Sequence, residues 1–180
     1  MRFIDLPIKG AHLIELNKLG DERGFFARMF CQEAFAQRGL ETTFVQMNNS
    51  RSAQKGTLRG LHFQIPPKEE VKLVRCIEGE IFDVVLDLRK ESPTFGKWHG
   101  ELLSAQNRTM MYVPKGCAHG FLTVTQESEV IYLVSSPYDP ALERGVRWND
   151  PSFNIAWTAE PSLISKRDQE HPLFENWIFQ

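Results

Sequence analysis

VKLVRCIEGEIFDVVLDL, residues 71–88, reads as two β-strands joined by a tight turn. Val, Ile, Leu and Phe fill two short runs, Val71–Ile77 and Ile81–Leu88. Glu78-Gly79 lies between them and is a hairpin signal. Side chains alternate along a strand, so Lys72, Val74 and Cys76 share one face while Val71, Leu73, Arg75 and Ile77 share the other. A lysine among small apolar neighbours suits the interior of a barrel. Alternation alone leaves open which face is the inside.

Working outward, Thr109–Val113, Gly120–Thr125 and Glu129–Val134 have the same strand character, and Val130, Tyr132 and Val134 share a face. Helical signal is scarce. Gln32–Arg38 is expected to form a short helix with Gly39 as its C-terminal cap. Ser165, followed three residues later by Asp168, has the spacing of a capping box on a last short helix. Many short strands with frequent turns indicate an all-β sandwich or barrel, and a closed jelly roll also removes exposed edges. There is no repeat, low-complexity tract or linker, so residues 1–180 read as one domain.

The 180 residues are 42% hydrophobic and 24% charged, with a formal net charge of −2. That suits an ordinary soluble domain and argues against a general nucleic-acid binder, which needs a basic excess to neutralise phosphates. The opening MRFIDLPIKG has no secretory pattern, and no apolar run is long enough to span a bilayer. Cys31, Cys76 and Cys117 are odd in number and widely spaced. They suggest neither a disulfide framework nor a zinc knuckle, and the reducing cytoplasm is the simplest setting.

The densest chemistry lies in QMNNSRSAQKGTLRGLHFQ, residues 46–64. Ser50–Lys55 reads best as a solvated loop. Arg59 and His62 stand in a strand-like RGLHFQ, a poor place for idle polar groups. VPKGCAHGF, residues 113–121, places His119 after a turn at the start of a strand. The remaining candidates are Tyr132, Glu143 with Arg144 in YDPALERGVRW (138–148), and Arg167 with Asp168 in SKRD (165–168). Imidazoles exchange protons near neutral pH, which favours His62 and His119. His12, His99 and His171 have no chemical neighbours in sequence and read as surface or core histidines. Asp168 reads equally well as a capping acid.

Taken in order, DERGFF (21–26), QMNNSRS (46–52), GTLRGLHFQ (56–64), KLVRCIEGEIFDVVLDLR (72–89), SPTFG (92–96), VPKGCAHGF (113–121), the Tyr132 strand, YDPALERGVRWNDP (138–151) and SKRD (165–168) resemble the dTDP-4-dehydrorhamnose 3,5-epimerase family. The resemblance implies a cupin-type jelly-roll β-barrel and a homodimer whose subunits lend strands to each other's sites. It implies a nucleotide-diphosphate sugar as substrate, dTDP-4-dehydro-6-deoxy-D-glucose on the way to L-rhamnose, with no metal or organic cofactor. A ketone at C4 acidifies the hydrogens on C3 and C5, so inversion needs a base, an acid on the opposite face and donors for an enolate. By their places in these motifs, His62 resembles the base, Asp168 its orienting carboxylate, Tyr132 the acid and Lys72 a cation for the enolate. Arg23, Gln46, Asn48, Arg59, Glu143 and Arg167 match substrate-binding positions, and His119 is expected to line the same pocket.

One position departs. Two residues after DERGFF the family usually carries a glutamate near the nucleobase, whereas this chain has Arg28. A carboxylate accepts the N3–H of thymine; an arginine donates, to cytosine or to phosphate. The nucleotide therefore stays open between dTDP and CDP, and so does the number of inverted centres.

Two other readings compete. Pro114-x-Gly116-x-x-His119 with His62 and Glu69 resembles the triad of a metal-dependent cupin. Gln64 stands where such cupins carry a further histidine, and Glu69 follows two prolines. A non-catalytic sugar-nucleotide binder on the same fold would not need both proton-transfer residues and Lys72. For Glu175–Gln180, with Trp177 and Phe179, packing on the barrel or on a partner is the plain expectation.

Overall fold

A computed structural model describes residues 1–174. In chain order its elements are β1 (Arg2–Asp5), β2 (His12–Glu15), β3 (Lys18–Asp21), β4 (Gly24–Ala27), α1 (Gln32–Ala36), β5 (Gln46–Ser52), β6 (Thr57–Gln64), β7 (Lys72–Glu78), β8 (Glu80–Asp87), β9 (Trp98–Ser104), β10 (Met110–Val113), β11 (Cys117–Thr123), β12 (Ser128–Val134), β13 (Glu143–Gly145), β14 (Leu163–Ile164) and α2 (Lys166–Gln169). The first sheet runs β1-β2-β10-β7-β12-β5 and the second β13-β6-β11-β8-β9, with β14 added to β6. β3 and β4 form a separate hairpin. The result is a cupin-type jelly-roll barrel.

The faces expected from alternation hold. Val74 and Cys76 of β7 and Val130 of β12 meet Ile81 and Val85 of β8 and Phe121 of β11 between the sheets. That contact makes the Lys72–Val74–Cys76 face the inside. Apolar residues of opposite phase are buried too. Leu73 and Met110 lie under Phe35 of α1, and Leu61, Val84 and Leu86 lie under Val146 and Phe153 of the C-terminal segment. Strands covered on both sides read as nearly continuous apolar runs, as 71–88 does. Fully burying one such side chain contributes about 1.5–3 kcal/mol.

Gly79 turns β7 into β8 with φ +69°. α1 is shorter than the expected Gln32–Arg38, and Gly39 follows it at φ +67°. Ser50–Ser52 belong to β5 rather than to a solvated loop, because β12 pairs with β5 from Ser128↔Ser52 to Val134↔Gln46. Polar residues fit there because β5 is a sheet edge. No helix among the described residues is long and apolar enough to cross a membrane. The expectation for Glu175–Gln180 lies outside the described residues.

Candidate active site

The mouth of the barrel holds a cavity of about 510 Å³ bordered by Arg59, His62, Lys72, His119, Tyr132 and Asp168. Strands β6, β7, β11 and β12 and helix α2 carry these six residues. β6 carries Arg59 and His62 three positions apart, which simple alternation would send to opposite faces. A bulge corrects this: His119 pairs with His62, whereas Phe121 pairs with Arg59, so Gly60 and Leu61 together oppose Gly120. Only glycine fits, since a Cβ on Gly60 would lie 2.5 Å from the Gly120 Cα, at a φ of +116°.

His62 Nε2 lies 2.7 Å from Asp168 Oδ1. The backbone N–H of Gly60 donates to Asp168 Oδ2 at 3.3 Å. Burial alone would raise the Asp168 pKa, but the adjoining His171 and His62 imidazoles and the Gly60 N–H outweigh it and hold the carboxyl well below the usual range. Only half of the capping box forms. Ser165 Oγ accepts from the Asp168 N–H at 3.1 Å, while the Asp168 carboxylate turns away from the cap to His62. The same residue therefore lies in the first turn of α2 and orients an imidazole.

Lys72 Nζ donates to the His62 carbonyl at 3.2 Å and pairs with Glu70 at 3.1 Å. Tyr132 stands on β12 beside Lys72 of β7, where Val134 pairs with Lys72. Burial raises the Tyr132 phenol pKa, and the charges of Glu70 and Glu143 add to it despite Arg59. The phenol is thus protonated at neutral pH and able to donate. His119 Nε2 lies 2.7 Å from Asp83 Oδ1, with both residues buried.

Arg59 donates to Ser52 Oγ at 3.2 Å and to the Arg51 carbonyl at 3.1 Å. Arg167 forms a close ion pair with Glu143, which also accepts from the Tyr138 hydroxyl at 2.8 Å. Burial raises the Glu143 pKa, but Arg167 and Tyr138 outweigh it and keep it ionised. Gln46 and Asn48 lie on β5, hydrogen-bonded to each other at 2.9 Å, with Asn48 opposite Tyr132. Arg23 and Arg28 do not border this cavity. Arg23 sits in the β3–β4 turn, exposed and paired with Asp21, and Arg28 borders a separate hollow with Leu19 and Phe26.

Two expectations need correction. His171 is no idle histidine: its ring centroid is 5.5 Å from that of His62 and its Nε2 is 3.6 Å from Asp168 Oδ1. Space for it comes from Gly145, where a Cβ would meet the ring at 2.1 Å. Nor does the triad of His62, His119 and Glu69 assemble. His62 and His119 each turn Nε2 to an aspartate, and among the described residues the three-ligand cluster is His62, Asp168 and His171. Gln64 instead staples the mouth, donating to Glu70 at 2.6 Å and accepting from the Asp139 N–H at 2.6 Å. Asp83 escaped notice because its partner, His119, lies 36 positions away; Glu70 and Tyr138 escaped it although Lys72 and Glu143 lie close by in sequence.

A cupin barrel whose cavity is bordered by an aspartate-backed histidine, a protonated tyrosine, Lys72 and Arg59 has the layout of a carbohydrate epimerase, an isomerase. Residues 5–176 match the dTDP-4-dehydrorhamnose 3,5-epimerase family, and the chain belongs to it. It is 46% identical to the dTDP-4-dehydrorhamnose 3,5-epimerase of Shigella flexneri over 93% of each chain. It superposes on the crystal structure of the enzyme of that name from Elizabethkingia anophelis with a TM-score of 0.94, at 38% identity over 97% of each chain. The enzyme from Bacillus anthracis, solved with TDP and pyrophosphate bound, gives a TM-score of 0.92 at 42% identity, covering 96% of this chain and 98% of that one.

Proposed function

We propose that this chain inverts C3 and C5 of dTDP-4-dehydro-6-deoxy-D-glucose. The observation that carries this reading is the placement of His62, with Asp168 behind it, and Tyr132 around one cavity with Lys72. His62 removes the proton from C3 or C5, and the C–H electron pair moves to the C4 oxygen as an enolate. The Lys72 ammonium offsets that charge. The Tyr132 hydroxyl delivers a proton to the opposite face, the enolate collapses to the ketone, and the carbon is inverted. His62 and Tyr132 then exchange protons with water for the next turn. Lys72, which is buried, and the partly buried Tyr132 gain from that burial, since a charge or dipole acts more strongly there than in water.

Arg59 and Arg167 suit the diphosphate, since a guanidinium offers paired donors to phosphate oxygens. Gln46, Asn48, His119 and Glu143 hold the sugar and the nucleoside around it. The relative solved with TDP favours dTDP as the carrier. Arg28 then meets phosphate or solvent. Arg23 reaches the site of a second copy in a homodimer. The exposed Leu19, Phe25 and Phe26 of the hairpin, with Val45 and Met47 at the β5 edge, supply the apolar surface for that pairing. We place this one-domain enzyme in the cytoplasm, consistent with three free cysteines.

The test is deuterium uptake from heavy water, with dTDP- and CDP-linked 4-keto-6-deoxyglucose in parallel. Two deuterons on the dTDP sugar are expected, one from each centre. One deuteron would restrict the enzyme to a single centre, and faster labelling of the CDP sugar would give Arg28 the nucleobase. No label with either would overturn the substrate. His62→Ala should abolish exchange at both carbons, whereas Tyr132→Phe should spare some abstraction and impair inversion.

A further inference from the structure

The proton-transfer reading uses His62 and Asp168 and leaves His171 without a task. Yet His171 is held with care. Its ring fills a space that exists only because residue 145 is glycine. Its Nε2 is buried and has no hydrogen-bond partner, and at 3.6 Å from Asp168 it stands just beyond hydrogen-bond range. A buried imidazole nitrogen that makes no hydrogen bond, 3.6 Å from an ionised carboxylate, is placed to serve with it as a cation ligand.

We propose that His62, Asp168 and His171 form a site for a divalent transition ion, zinc foremost, that replaces the proton shared by His62 and Asp168 and switches the base off. One nitrogen from each histidine and a carboxylate oxygen lie within 4.8 Å of one another. Tetrahedral zinc bonds of about 2.0–2.2 Å require ligand atoms roughly 3.3–3.5 Å apart. The present separations of 2.7 Å and 3.6 Å from Asp168 Oδ1 straddle that range and need adjustments under 1 Å, while the two histidine nitrogens, within 4.8 Å of each other, draw together around the ion. Two imidazoles and a carboxylate are borderline ligands that suit zinc and its neighbours rather than magnesium or calcium. Three protein ligands leave the fourth position for water.

The proton balance explains the switch. His62 turns Nε2 to Asp168, so Nδ1 is the nitrogen left to accept the substrate proton. In the active tautomer Nε2 carries the ring proton and Nδ1 a free lone pair. An ion bound at Nε2 displaces the proton there, takes the Nε2 lone pair and leaves the single proton of the neutral ring on Nδ1. The base is then already protonated, with no net change in the protons on His62. Binding stands on the ligand geometry alone; the inhibition rests on the epimerase reading above.

The experiment titrates zinc into the full chain against a chromophoric chelator, for the wild type, His171→Ala and His171→Asn, with thermal melting to confirm that each variant is folded. One ion per wild-type chain is expected. Affinity should fall at least about tenfold in both variants, since even loss of an outer-shell partner costs that much. Equal affinity in the folded variants, or no binding by the wild type, overturns the site. Deuterium exchange is then followed with zinc and with excess chelator. Reversible loss of exchange in the wild type, needing at least about tenfold more zinc in the variants, supports the switch. Undiminished exchange with zinc bound overturns it. Absence of exchange even without metal would refute the epimerase reading, while the affinity comparison would still decide the site.

Discussion

Asp168 accepts the same histidine that lies 106 positions before it in the chain, with 2.7 Å between Oδ1 and His62 Nε2. The bond fixes which ring nitrogen carries the proton and stabilises the imidazolium that forms when a substrate proton is taken. Asp168→Asn removes the charge, while Ser165 Oγ still accepts the residue 168 backbone N–H. Epimerisation and deuterium exchange should both fall by about 100-fold or more, the low end of what a positioned base supplies, with the melting temperature little changed. A rate within a few-fold of wild type would remove Asp168 from the proton-transfer machinery.

Gly60 sets the bulge that turns Arg59 and His62 to one side. A Cβ there meets the Gly120 Cα at 2.5 Å and the His119 carbonyl oxygen at 2.8 Å, at a φ that L-residues avoid. The backbone conformation alone costs about 1–3 kcal/mol, so Gly60→Ala should lower the melting temperature by several degrees. It should also slow turnover more than the stability loss accounts for, because the rearrangement moves His62. Calorimetry with parallel kinetics checks both; unchanged melting and turnover would dissociate the bulge from the site.

How far the chain could be read turns on this bulge. The 71–88 hairpin was legible because turn chemistry and alternation are local, and the phase of Lys72, Val74 and Cys76 carried through to the barrel interior. The candidates on β6, β7, β11 and β12 were legible from their motifs. Their common orientation was not: two residues opposing one is a property of strand pairing, and Gly60 looks like any other glycine until Gly120 lies against it. His171 was missed for a related reason. Asp168 lies only three positions before it, but His62 and Gly145 join them only when β13 pairs with β6, placing Gly145 opposite His62. Ser50–Ser52 looked like loop because an edge strand tolerates the polar residues that a central strand excludes.

The buried Asp87 predicts acid behaviour independent of catalysis. Burial pushes its pKa up, but Arg89, Ser92 and Thr94 donate to it at 2.6–2.8 Å and bring it down to about 2. A carboxyl whose folded pKa is depressed stabilises the protein above its unfolded value, and that contribution is lost as pH falls towards the folded pKa. From 3.8 to about 2, the shift corresponds to about 2 kcal/mol. Stability of the wild type should therefore decline between about pH 5 and pH 2, and Asp87→Asn should be less stable at pH 7 and decline less steeply. Denaturant unfolding across that range checks it; parallel pH profiles for the two proteins would deny Asp87 this role.

Arg23 offers the sharpest test of shared sites. It lies on the exposed β3–β4 turn, outside the cavity of its own chain. In a two-fold dimer it would serve the partner's substrate. Arg23→Ala and His62→Ala should each be impaired as homodimers. When the two are mixed and allowed to exchange subunits, half of the dimers are mixed. In each of these, one site combines an intact His62 with an intact Arg23 from the other chain. Activity should then recover to roughly a quarter of wild type, as two-fold symmetry dictates. If Arg23 acted within its own chain, no site in the mixed dimer would hold both residues, and mixing would restore nothing. Full activity of Arg23→Ala alone would remove Arg23 from substrate binding altogether.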